Sequence, residues 1–284
     1  MRWTPRGVSG DIEDRRAQGG SPIRGSHLGV GGTILLLLLS IVFRRDFVSM
    51  FSGSSGAVPA ANQASRSAVQ DPAEAKLVQF VSFVLDDAQQ TWELVLPQQN
   101  RVSYRRAKLV LFRDATDSSC GLAEAATGPF YCPADEKVYV DLGFFDELKN
   151  RFGAPGEFAQ AYVLAHEIGH HVQKLLGISG KVHALQQGNP SEANPLSVRL
   201  ELQADCFAGI WANSTAQRNL IEQKDVEAGI RAAGAVGDDR IQRMARGRVS
   251  PESFTHGSSA QRAEWFERGF VGGDLAQCNT FAAR

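Results

Sequence analysis

Residues 158–173, FAQAYVLAHEIGHHVQ, constrain the chain more than any other stretch. No Pro interrupts them, and Phe158, Tyr162, Ala165, His166, Gly169 and His170 recur at helical spacing, which predicts a helix with these residues on one face. His166 and His170 stand one turn apart, with Glu167 beside the first. Imidazoles at i and i+4 can reach the same metal ion, and the neighbouring carboxylate can reach a water on that ion. This H-E-x-x-H pattern points to zinc-dependent hydrolysis. With only six His in the chain, a chance match on a surface helix is a weak competitor.

A catalytic zinc needs three protein ligands and one open position. A third His ten residues after His166 would close the site in the metzincin manner, but that position is Leu176. The segment RLELQADCFAGIWA, expected to be helical after Asn194–Pro195, offers another completion. Glu201 and Asp205 sit at i and i+4 there. Glu201 can be the third ligand, and Asp205 can accept the other ring N–H of a ligating His. His171 lies about 140° round the helix from His166 and is expected to be a surface or structural residue, with His27 and His183 incidental. His256 differs, because it precedes a predicted helix and has Arg262 six residues on. The pair could supply a hydrogen-bond donor to a developing oxyanion.

The rest of the chain sets the frame. Its 284 residues, 43% hydrophobic and 21% charged, suit one large domain or two small ones. A net charge of −1 gives no reason to expect a nucleic-acid partner. Residues 1–27, with Arg2, Arg6, Arg15, Arg16 and Arg24, are expected to be a basic cytoplasmic tail. Residues 28–43 carry no charge, close to the roughly 20 apolar residues a bilayer requires. They predict a transmembrane anchor over 28–48, crossing once with the amino terminus inside. Residues 49–73 are Ser/Ala/Gly/Pro-rich and are expected to be a flexible linker. Residues 74–284 then form the catalytic domain outside the cytoplasm, at the bacterial inner membrane.

Within that domain, helices are expected from about Glu74 to Thr91 and over 144–152, 225–246 (broken or bent near Gly234–Gly237) and the stretch after His256. Strands are expected at 108–112 and 137–142, the latter as an edge along which an extended substrate could pair. The four Cys all lie on the presumed outer side, where disulfides persist. A Cys120–Cys132 bridge would close a short loop, and a Cys206–Cys278 bridge would tie the carboxyl-terminal tail to the Glu201 helix. The fold class expected is α+β, zincin-like, with a small mixed sheet covered by helices.

Several motifs together resemble the bacterial putative neutral zinc metallopeptidase family, the YpfJ-type membrane proteins. They are MRWTPRG with IEDRR, the apolar run, CG with GPFYCP and VYVDL, HEIGHHVQ, RLELQADCFAG, THGSSAQR and GGD with CNTF. The metal-site layout is also similar to the gluzincins. That resemblance implies His166, His170 and Glu201 as ligands of one Zn2+, Glu167 as general base and Asp205 behind the ligands. His256 and Arg262 match a later His…Arg segment, although Gly257 stands where that pattern has Pro. The activity implied is hydrolysis of protein or peptide substrates. The competing reading is a membrane-anchored binding or assembly protein with a non-catalytic zinc. Substrate preference and oligomeric state have no signature in the sequence.

Overall fold

A computed structural model of the chain describes residues 1–18, 72–124 and 128–282. The apolar run at 28–43 and most of the expected linker lie outside the described residues. No helix among the described residues is long and apolar enough to cross a membrane.

The first strand, β1 (Ile12–Asp14), falls within the segment expected to be a free tail. Helix α1 (Pro72–Asn100) is longer at both ends than the expected helix. Strand β2 (Lys108–Phe112) leads into a hairpin, β3 (Ala115–Ser118) and β4 (Gly121–Glu124), followed by β5 (Phe130–Cys132) and β6 (Lys137–Asp141). Then come α2 (Phe144–Asn150), α3 (Glu157–Leu175), α4 (Ile178–Gly188) and α5 (Ala193–Gln217). Last are α6 (Gln223–Ala235), α7 (Asp238–Arg246) and α8 (Ser259–Gly272). The helix expected over 225–246, broken or bent near Gly234–Gly237, is two helices, parted at Val236 and Gly237.

The main sheet is mixed, in the order β1-β2-β6-β5, with β1, β2 and β6 parallel and β5 antiparallel to β6. This corrects the expectation for KVYVD: β6 lies inside the sheet, and the edges are β1 and β5. The physical sign was in the run itself. Residues buried on both faces of a strand read as continuously apolar, and Val138, Tyr139 and Val140 are all buried.

Helices α1, α3, α5 and α8 pack together beside the sheet. Large rings fill the space between them: Trp92 lies edge-on to Phe207, Phe158 stacks on Trp211, and Tyr162 meets Phe266 edge-on. Two glycines set how closely the site helices approach. A Cβ on Gly169, inside the HEIGHH motif, would lie 3.0 Å from the Ala204 carbonyl oxygen of α5. A Cβ on Gly269 of α8 would collide with the Cys206 carbonyl. Any side chain at either position would push the ligand-bearing helices apart.

Residues 1–18 are part of this body, which corrects the tail reading. β1 pairs in register with β2, Ile12 opposite Leu109. Trp3 packs on Phe80 at 5.3 Å between ring centres, and its indole N–H donates to Glu157 at 3.1 Å. Arg16, only 5% exposed, is held between Asp14 and Glu74, each at 2.5 Å. A three-residue strand and arginines whose partners lie far along the chain leave no local periodicity to read.

Both expected disulfides are present, Cys120–Cys132 and Cys206–Cys278. The first ties the β3–β4 hairpin to β5. The second closes a loop with a separation of 72 residues, worth about 4 kcal/mol in the chain-entropy picture.

Candidate metal centre

Helix α3 presents His166, Glu167 and His170, and α5, brought close at Gly169, presents Glu201 and Asp205. One oxygen of Glu201 is 3.2 Å from His166 Nε2 and the other is 3.3 Å from His170 Nε2. The three candidate ligand atoms all lie within 4.8 Å of one another. Among the described residues no other group of three His, Cys, Asp or Glu side chains could hold a metal in this way.

The electrostatics fit a cation at this point. Burial works against charge on His166, yet Asp205 and Glu201 outweigh it and hold the imidazole pKa up at about 10. His170 is likewise raised, because Glu201 overcomes the cost of burial. Burial favours the neutral form of Glu201 too, but the two imidazoles hold it well below the usual carboxylate range. The carboxylates around the two imidazoles thus favour positive charge at this point. A divalent ion supplies the same charge while leaving both imidazoles neutral, so the donor set suits zinc.

Each candidate ligand imidazole has an orienting partner behind it. His166 Nδ1 is 2.9 Å from Asp205, leaving Nε2 towards the metal position. Asp205, with no exposed surface, also accepts from Tyr162 OH at 2.5 Å and from Arg262 Nε and Nη2 at 2.8 and 3.0 Å. Burial pushes Asp205 towards neutrality, and Arg262 and His166 reverse this to keep its pKa low. Arg262 therefore lies under the site, against Asp205 and Tyr162. Its hydrogen bonds do not reach His256, contrary to the pairing expected of these two residues.

His256 does come to the site, since it lines the same cleft as His166, Glu167, His170 and Glu201. Asp238, at the start of α7, accepts the backbone N–H groups of Thr255, His256 and Gly257 and lies 3.2 Å from His256 Nδ1. This hydrogen bond, the largest influence, raises the His256 pKa against the effect of burial. Nε2 of His256 makes no hydrogen bond among the described residues. Sequence reasoning missed Asp238, which is 18 residues away in the chain. It also missed Gln173, whose Oε1 is 2.9 Å from His170 Nδ1.

Glu167 is 7% exposed, and its carboxylate makes no hydrogen bond or ion pair among the described residues. His171 faces away, as its angle on the helix predicted. It is fully buried, bridging Tyr131 OH at 2.9 Å and the Arg105 carbonyl at 2.6 Å. The cleft over the metal position has a volume of about 550 Å³ and is walled by Phe130, Tyr131, Phe144, Phe152 and Ile241. A larger cavity of about 1070 Å³, lined by Val198, Leu202, Phe254 and Trp265, contains none of the candidate ligands. The chemistry therefore selects the smaller one.

The model of the putative neutral zinc metallopeptidase family matches residues 1–281. The chain belongs to that family. Within it, the chain is 46% identical to the uncharacterised protein YpfJ of Escherichia coli (strain K12), over 99% of each chain. It is 45% identical to an uncharacterised protein of Mycobacterium tuberculosis (strain H37Rv), over 68% of this chain and 66% of the relative. No solved structure matches the chain. Family membership agrees with the donor set at His166, His170 and Glu201. If Glu201 is the third ligand, Glu201→Ala removes it while leaving both imidazoles. Metal analysis of the purified variant should then show zinc content falling well below one ion per chain; unchanged content would put the third ligand elsewhere.

Proposed function

We propose that this family member is a zinc-dependent endopeptidase, held at a bacterial membrane through the apolar run at residues 28–43, with its catalytic domain outside the cytoplasm. One observation carries the reading: three metal donors converge beside an unpaired buried carboxylate, Glu167, on the floor of an open cleft. A purely structural site has no use for that carboxylate, and it would be closed by a fourth side-chain ligand. The two disulfides favour an oxidising compartment.

His166, His170 and Glu201 would hold the ion, with Asp205 and Gln173 fixing the two rings. Zinc in this position would acidify a water and polarise the scissile carbonyl. Glu167 accepts the proton of the attacking water and passes it to the leaving amine as the C–N bond breaks. His256, steadied by Asp238 at Nδ1, donates from Nε2 to the oxygen on which negative charge develops. Arg262 acts through Asp205. An extended peptide has a place to pair at β5, the edge strand whose Phe130 and Tyr131 line the cleft.

The test uses the full chain in mild detergent. It should cleave an unstructured protein, stop on addition of a metal chelator and recover with zinc. A zinc-loaded protein with no activity on unstructured chains would favour the binding-protein reading.

A further inference from the structure

The structure assigns Gln173 and Gln203 as positioning residues that decide which nitrogen of His170 carries a proton. The decision is anchored at a backbone carbonyl clamped by the Cys206–Cys278 disulfide. This rests on the reading of His170 as a metal ligand.

A side-chain amide can present either its oxygen or its NH₂ to a neighbour, so one amide alone settles nothing. Backbone carbonyls can only accept. Gln203 Nε2 donates to the Cys278 carbonyl at 2.9 Å, which turns Gln203 Oε1 towards Gln173. Gln173 Nε2 donates to that oxygen at 3.1 Å and to the Leu200 carbonyl at 2.7 Å. Gln173 Oε1 is then the atom that faces His170 Nδ1. Nδ1 must bear the hydrogen, and Nε2, on the Glu201 side, keeps its lone pair for a metal. Flipping either amide would set donor against donor or acceptor against acceptor. Gln173 and Gln203 are only 1% and 5% exposed, so a flip would leave buried polar groups unsatisfied.

The two imidazoles are thus oriented by different means. His166 has a charged partner, Asp205, whereas His170 has a neutral relay two amides long. Helix α5 supplies nearly all the parts within six successive positions: Glu201 as ligand, Gln203 as relay, Asp205 behind His166, and Cys206 as one end of the clamp. The other end, Cys278, is fully buried and belongs to the short turn after α8.

The experiment is a zinc competition titration against a chromophoric chelator, with histidine 15N–1H correlation spectra of the zinc-bound protein. Gln173→Leu fills the same space without an acceptor and should weaken zinc binding roughly 10–100-fold, with loss of the protected His170 Nδ1–H signal. Gln173→Glu keeps an oxygen at Nδ1 but sets its second oxygen against the Leu200 carbonyl and Gln203 Oε1, so it should lose affinity but less than Gln173→Leu. Equal affinities for the Leu variant and wild type, or equal losses in Leu and Glu, would overturn the relay. Cys278→Ala keeps the carbonyl but frees it, and should weaken zinc binding in the same direction; unchanged affinity would overturn the role of the clamp. A wild-type protein that binds no zinc would instead sink the ligand reading itself.

A second inference stands on different residues. We infer that residues 1–18 and the catalytic domain lie on the same side of any membrane. Pairing of β1 with β2, the Trp3 contacts and the Arg16–Glu74 ion pair cannot form across a bilayer. Three of the five Arg expected to hold the segment in the cytoplasm have partners in the fold, Arg2 with Glu222, Arg15 with Glu13, and Arg16 with Asp14 and Glu74.

All four native Cys are in disulfides, so an introduced thiol reports alone. Val8→Cys and Lys181→Cys, both at exposed positions, should show the same labelling by a membrane-impermeant maleimide in intact cells. Labelling of both supports the inference and an extracytoplasmic domain. Protection of both until lysis supports the inference and corrects the compartment. Labelling of one only would overturn it.

Discussion

Glu167→Gln should abolish peptide hydrolysis while leaving the zinc in place. The substitution keeps the shape of the side chain and removes its capacity to take up a proton. Glu167 is not among the three groups that could hold the metal, so metal analysis should give the wild-type content. Its carboxylate makes no hydrogen bond or ion pair among the described residues, so the amide disrupts no existing contact and folding should be unaffected. What is lost is general base catalysis of water attack and the return of that proton to the amine, together worth about 10²–10⁴-fold in kcat. The measurement is single-turnover cleavage of an unstructured protein alongside metal content and thermal unfolding. Residual activity within tenfold of wild type would remove Glu167 as the base. Loss of zinc with the activity would mean instead that the carboxylate supports the metal. The same variant, binding substrate without cutting it, is the natural bait for the physiological substrate.

The sequence carried the parts of this site that obey a local rule. Helical periodicity placed His166, Glu167 and His170 on one face, and i, i+4 spacing placed Glu201 and Asp205 on another. The two-face hydrophobicity of KLVLF and KVYVD marked strands. Information with no local spacing was not legible. Asp238 reaches His256 from another helix, and Gln173 is an ordinary polar residue until its oxygen is seen against His170. Arg262 was picked out by its distance from His256 along the chain, yet tertiary packing sends its guanidinium under the metal site to Asp205. The amino-terminal segment misled for the same reason. Its arginines look like a solvated basic tail in sequence, and only the distant carboxylates Glu222 and Glu74 reveal them as parts of the fold. The position of β6 inside the sheet follows from its pairing with β2 on one side and β5 on the other, and a three-residue strand such as β5 could not announce itself.

Arg262→Met should be the most destabilising single change at the site, and the reason lies in Asp205. That carboxylate is wholly buried, and among the described residues the guanidinium is its only fixed positive partner, held at 2.8 and 3.0 Å. Methionine fills much of the same volume but leaves the charge to His166 and Tyr162. Removing one member of a buried ion pair costs about 3–5 kcal/mol, which for a domain of this size lowers Tm by on the order of 10 °C. The pH dependence should change with a definite sign. Arg262 and His166 together hold the Asp205 pKa below its ordinary value despite burial. The pair therefore contributes stability above about pH 4, the unfolded carboxylate value, and loses it as pH falls through the lower folded value. Without Arg262, burial raises that folded pKa, so acid unfolding should begin at higher pH in the variant. A protonated Asp205 also accepts less well from His166 Nδ1, and zinc affinity should drop roughly 10–100-fold. Asp205→Asn combined with Arg262→Met should be less destabilised than the sum of the two single variants, because the double variant buries no unpaired charge. Additive losses would show that the two side chains contribute independently, and that Arg262 is not what holds Asp205 charged behind the first ligand.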